Sequence, residues 1–87
     1  MGKYEALLLR ILRGGSDASV PFDELRHLLR RLGFNERIRG DHYIFTKEDV
    51  VEILNLQPRG RHAKPYQVRQ VRAVIVKYRL AGGDDAK

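Results

Sequence analysis

The 87-residue sequence predicts an α+β domain built on a three-stranded antiparallel sheet. Three observations carry that expectation. Phe22, Leu25, Leu28, Leu29 and Leu32 recur at helical spacing, forming one continuous apolar face that Gly33 closes. The run from Phe34 to Arg39 then alternates like a strand and meets Gly40-Asp41, a pair suited to a two-residue hairpin turn. Beyond the second arm of that hairpin, Val50 to Leu56 is apolar enough for a third strand, interrupted by Glu52 and Asn55.

Ahead of the main helix, Tyr4, Leu7, Leu8 and Ile11 predict a first short helix over about Lys3 to Arg13, stopped by Gly14-Gly15. Leu9 and Leu12 make it apolar on more than one side, which suits packing across the domain or binding a partner. Ser16 to Ser19 reads as a polar linker. In the second helix, Pro21 suits the first turn, while Asp23 and Glu24 complement the positive end of the helix dipole. Gly33 is the expected left-handed stop, from which Phe34 can fold back onto the last turn. Arg26, His27, Arg30 and Arg31 fall away from the apolar stripe. His27 is expected in solvent, and Arg30 and Arg31 as an extension of a basic surface.

A two-residue loop at Gly40-Asp41 sets the hairpin register. Glycine supplies the positive φ that the turn needs, and aspartate tolerates it. Arg39 then lies opposite His42, Ile38 opposite Tyr43, Arg37 opposite Ile44 and Glu36 opposite Phe45. Paired residues share a face. One face therefore carries Phe34, Ile38, Tyr43 and Phe45, a core surface with Glu36 as its misfit. The other carries Arg37, Arg39 and His42 beside Ile44. An imidazole between two guanidiniums on an open sheet face is chemistry suited to a phosphate, although a lone strand histidine is more often a solvated surface residue.

Thr46 to Asp49 reads as a polar connection into the third strand. Gln57 to Pro65 is expected as a loop rich in glycine, proline and cations, carrying Arg59, Arg61, His62 and Lys64. Such a loop beside a basic strand face suits tracking of a phosphate backbone, or is simply solvated. In Tyr66 to Leu80, Val68, Val71, Val74, Ile75 and Tyr78 recur at helical spacing. The segment is also rich in β-branched residues, and the pattern alone favours helix by a small margin. Ala81 to Lys87 is expected to be a disordered tail.

At this length the chain makes one domain, with a single modest core and any chemistry on a surface or shallow groove. Seventeen lysines and arginines against 11 acidic residues leave a formal charge of +6. That balance favours a polyanionic partner, nucleic acid or an acidic protein, or a generally basic surface. Without cysteine, thiolate catalysis, disulfides and cysteine-based zinc sites are excluded. His27, His42 and His62 have no metal-ligand spacing, so neither metal nor other cofactor is expected. The apolar stretch around Ala6 to Leu12 is far shorter than a membrane span, and the chain is read as soluble and cytoplasmic.

The order helix, Leu32-Gly33-Phe34, a strand with Arg37, then Gly40-x-His42-x-x-Phe45, another strand, a basic loop with Pro58 and Lys64 and a closing segment with Val71 to Ile75 resembles the HicA toxin family of bacterial type II toxin–antitoxin pairs. The resemblance spans about Pro21 to Leu80. It implies a double-stranded-RNA-binding-domain-like fold, with helices on one face of the sheet and the closing segment helical. It further implies a metal-independent endoribonuclease that cleaves mRNA, is neutralised by a HicB-like antitoxin and has its catalytic histidine at His42. Two departures stand out. Asp41 occupies a place where the family commonly has serine or threonine, and the helix before Pro21 is an addition.

Cleaving RNA without metal requires a base for the 2′-hydroxyl proton and positive charge for the phosphoryl oxygens. His42 titrates in a range that suits the first role. Arg37 and Arg39 suit the second, with Lys64, Arg59 and Arg61 as further phosphate contacts. The neighbouring cations should favour the neutral imidazole, the form a base needs. The competing reading is a non-catalytic RNA-binding module with the same basic face.

Overall fold

Each helix in the computed structural model, which describes residues 2–82, begins and ends where local chemistry marks it. Helix α1 spans Lys3–Arg13, with the Glu5 carboxylate accepting from the Gly2 N–H at 3.1 Å. Helix α2 spans Phe22–Arg31. Pro21 stands one residue before it with extended backbone, a correction to its expected place in the first turn. Gly33, at φ 101°, lets the chain leave the helix, and the Phe34 N–H returns to the Leu29 carbonyl at 3.0 Å. Between the two helices, the expected linker contains a 3-10 turn at Asp17–Ser19.

Strands β1 (Asn35–Arg39), β2 (His42–Lys47) and β3 (Val50–Leu56) form an antiparallel sheet in the order β1-β2-β3. The β1–β2 register is the one the two-residue turn dictates, with Arg39 opposite His42 and Arg37 opposite Ile44. Only Gly40 in that turn takes a positive φ, 62°, so Asp41 is not asked to. That is the pattern of a turn with glycine at its first central position. The connection into β3 is shorter than Thr46 to Asp49: β2 runs through Lys47, and Glu48 and Asp49 alone turn the chain, Asp49 with φ 71°.

Gln57 to Pro65 is not a free loop. Pro58–Arg59 (β4) and His62–Ala63 (β5) pair as a second, two-stranded hairpin. It is fastened to the chain ahead of α2, where the Phe22 N–H donates to the Arg61 carbonyl and the Ala63 N–H to the Val20 carbonyl, both at 2.9 Å. Buried Ala63 anchors it from below. Helix α3 follows over Pro65–Lys77, with Val68, Val71, Val74 and Ile75 buried. Helix therefore wins over strand, because its buried positions fall on one helical stripe. Of the expected tail, residues 83–87 lie outside the described residues.

The core lies between the inner sheet face, with Phe45, Leu54 and Leu56, and the three helices. Phe22, Leu25, Leu28 and Leu29 come from α2, and Leu7, Leu8 and Ile11 from α1. The α1 helix is thus part of the core, and Arg72 of α3 ties it down by donating to the Ile11 carbonyl at 2.7 Å and pairing with Asp17. The molecule is a small α+β domain of three helices and a three-stranded sheet, with no helix among the described residues long and apolar enough to cross a membrane.

Glu36 and Glu52 sit on the helix-facing side of the sheet, each with partners. Glu36, the misfit, has a side chain only 8 % exposed and meets Arg26 at 2.7 Å and Arg30 at 3.5 Å. Its hydrogen bond to Arg26 raises that guanidinium's pKa further above its ordinary value. Ile38 corrects the core expectation, being 51 % exposed. It lies on edge strand β1 near the turn, where α2 meets its partner Tyr43 through the Phe22 ring at 4.9 Å and the Arg26 guanidinium at 4.8 Å.

Glu52 accepts from Lys77 at 2.8 Å and from the Tyr78 hydroxyl at 2.7 Å, and these bonds push its pKa down to about 2. A carboxylate held below its unfolded value stabilises the fold above that value, and the contribution disappears as pH falls towards the folded one. Glu52→Gln should therefore lower the melting temperature near neutral pH and narrow its gap to the parent between pH of about 4.5 and 2. Parallel melting curves across that window would show that the three-residue contact adds nothing.

Candidate active site

The sheet's outer face carries the histidine. Arg37, Arg39 and His42 are exposed there, His42 with its side chain 47 % accessible and directly across from Arg39. Alternation along β3 adds Val51, Ile53 and Asn55 to the same face, Val51 at 85 % and Ile53 at 61 % exposure. Among the described residues, no helix covers these side chains. The expected pairing of two guanidiniums with an imidazole on one open face is present as backbone register.

Polar contacts then orient His42. The β2–β3 register puts Asn55 opposite Ile44, diagonal to His42, and its side-chain oxygen lies 3.0 Å from the imidazole Nδ1. An amide oxygen only accepts, so Nδ1 carries the proton and Nε2 is the basic nitrogen of the neutral ring. Nε2 faces the Gln57 amide nitrogen at 3.5 Å and the Asp41 carboxylate at 3.8 Å. The Gln57 nitrogen also donates to Asp41 at 3.2 Å, and the Gln57 oxygen accepts from Lys64 Nζ at 3.3 Å. Asp41, at the place where the resembled family commonly has serine or threonine, therefore sets an acceptor beside the imidazole.

Lys64 consequently belongs to the histidine's surroundings through Gln57. Arg59 and Arg61 make no polar contact with this network among the described residues. The small hairpin turns Arg61 into a groove with Pro21, Phe22, Tyr43 and Pro58, on the helix-facing side of the sheet. Arg30 and Arg31 also do not extend the basic face. Arg30 pairs with Glu36, and Arg31 lies over the Tyr4 ring at 4.2 Å, so both belong to the helical side.

Sequence reasoning missed Asn55, Gln57 and Gln67. Asn55 looked like a strand interruption, although its period-two spacing from Val51 and Ile53 is the signal that it shares the outer face. Gln67 sits in line with Val71, Val74 and Ile75, and a polar residue within an apolar stripe is the cue that something must pair with it. Among the described residues, no group of three His, Asp or Glu side chains is placed to hold a metal ion. No family model, curated protein or solved structure matches this chain.

Proposed function

We propose that this chain is the toxin of a HicA/HicB-type pair, a metal-independent endoribonuclease on a double-stranded-RNA-binding-domain-like fold. The observation that carries the reading is His42 on an open sheet face, its Nδ1 bonded to Asn55 and its strand flanked by Arg37 and Arg39. Sequence resemblance supplies the family, and the order after Pro21, a helix, a three-stranded sheet, a two-stranded hairpin and a closing helix, is compatible with it.

In this mechanism RNA lies along the outer face, with the scissile phosphate between the arginines and His42. Nε2 takes the 2′-hydroxyl proton, the 2′-oxygen forms a bond to phosphorus, and the bond to the 5′-oxygen breaks. The departing 5′-oxygen acquires a proton from solvent or from the imidazolium. Arg37, Arg39 and Lys64 balance the charge on the phosphoryl oxygens. A HicB-like antitoxin offering carboxylates would compete for the same cations, and complementary charge would speed its capture.

Incubating the purified chain with RNA in excess chelator tests the reading. Cleavage should persist and leave a 2′,3′-cyclic phosphate or 3′-phosphate end. Activity lost in chelator and restored by a divalent ion would overturn the mechanism, and RNA bound without cleavage would assign a binding module instead.

A further inference from the structure

We infer that Gln67 is the positioning residue of the His42 site, acting through Gln57. The inference rests on His42 as the reacting group. Gln67 belongs to the first turn of α3 and is only 1 % exposed, among the valines of the core. Its amide is turned so that the nitrogen donates to the Gln57 carbonyl and the oxygen accepts from the Gln57 N–H, each at 3.0 Å. A cross-strand residue exchanges the same two bonds with its partner in an antiparallel ladder. Gln67 thus replaces a strand at the place where β3 ends and its ladder with β2 runs out.

This clasp does more than satisfy a buried amide. Gln57 meets Asp41, His42 and Lys64 together, so fixing its backbone decides where all three polar partners converge. The same helical turn also places Lys64, because the Gln67 N–H donates to the Lys64 carbonyl at 2.9 Å. The buried side chain of Gln67 therefore sets the amide facing Nε2, and its backbone N–H holds the turn that carries the cation behind it, neither touching the imidazole. Misplacement of a reacting group by a distant change of this kind can cost about 10²-fold in rate.

The test compares the full chain with Gln67→Met, which keeps the volume and removes both bonds, and with Gln57→Met. Imidazole ¹⁵N chemical shifts of His42 report its proton distribution whether or not the protein cleaves RNA. Both substitutions should move those shifts while circular dichroism stays unchanged. In RNA cleavage each should lower kcat by about 10²-fold with little change in KM, and the double variant should lose no more than Gln57→Met alone. His42 shifts in folded Gln67→Met that superimpose on those of the parent would overturn the inference. Should Gln67→Met fail to fold, Gln57→Met together with hydrogen exchange of the parent decides. Slow exchange at the Gln57 N–H with moved His42 shifts supports the clasp, and fast exchange or unmoved shifts sinks it. A parent inert towards RNA whose variants still move the His42 shifts would remove the ribonuclease reading and leave the positioning role standing.

Discussion

Replacing His42 with alanine is expected to lower RNA cleavage by about 10²–10⁴-fold, the range for a positioned general acid or base. On the proposed toxin reading, the same substitution should relieve the growth arrest expected when the chain is induced in a bacterium without a HicB-like partner. The imidazole is half exposed, and its hydrogen bonds go to side chains on the sheet surface, so nothing in the core depends on it. The variant should consequently fold, melt near the parent temperature and still bind RNA through Arg37 and Arg39. That combination, binding kept and cleavage lost, separates catalysis from affinity. Continued arrest by a well-expressed, folded His42→Ala protein would remove His42 from the mechanism.

Arg26→Ala should have a large effect on stability. It leaves Glu36 with a side chain 8 % exposed and only the longer 3.5 Å contact to Arg30. Breaking a fully buried pair from one side costs about 3–5 kcal/mol, and this part-buried pair, with Arg30 remaining, should cost less, about 1–3 kcal/mol. For 87 residues the whole folding free energy is roughly 4–13 kcal/mol, so such a loss is a large share of it. The pair itself need not be strongly stabilising, since removing both charges together avoids the stranded carboxylate. Urea denaturation should therefore place Arg26→Ala well below the parent and Arg26→Met with Glu36→Leu between the two or above. A single variant as stable as the parent would show that Glu36 is solvated without its partner.

Much of the architecture is decided by short-range chemistry that can be read directly from the chain. Gly33 ends α2 because only a residue tolerant of φ 101° can turn there. Gly40 sets a two-residue turn, and a two-residue turn leaves only one register, so Arg39 and His42 had to meet. Bounds of α1 and β3 followed from apolar periodicity and flanking glycines or polar residues. These features involve residues a few positions apart, where propensity and sterics act without help from the rest of the fold.

What the sequence by itself determined, then, is the pair of N-terminal helices, the hairpin and the shared face of Arg37, Arg39 and His42. Only the tertiary structure decided what surrounds the histidine. Asn55 reaches it across 13 residues and Gln57 across 15, through a β2–β3 pairing whose register shifts between Phe45 and Lys47. Nothing in local composition announces that irregularity, yet it determines which β3 residues lie beside His42. The same holds for Arg72, whose bonds to Ile11 and Asp17 span 61 and 55 residues, and for the β4–β5 hairpin fastened beneath Val20 and Phe22. Contacts of this separation form only once the core has brought the elements together, because the entropy of closing such loops is offset collectively and by no residue alone.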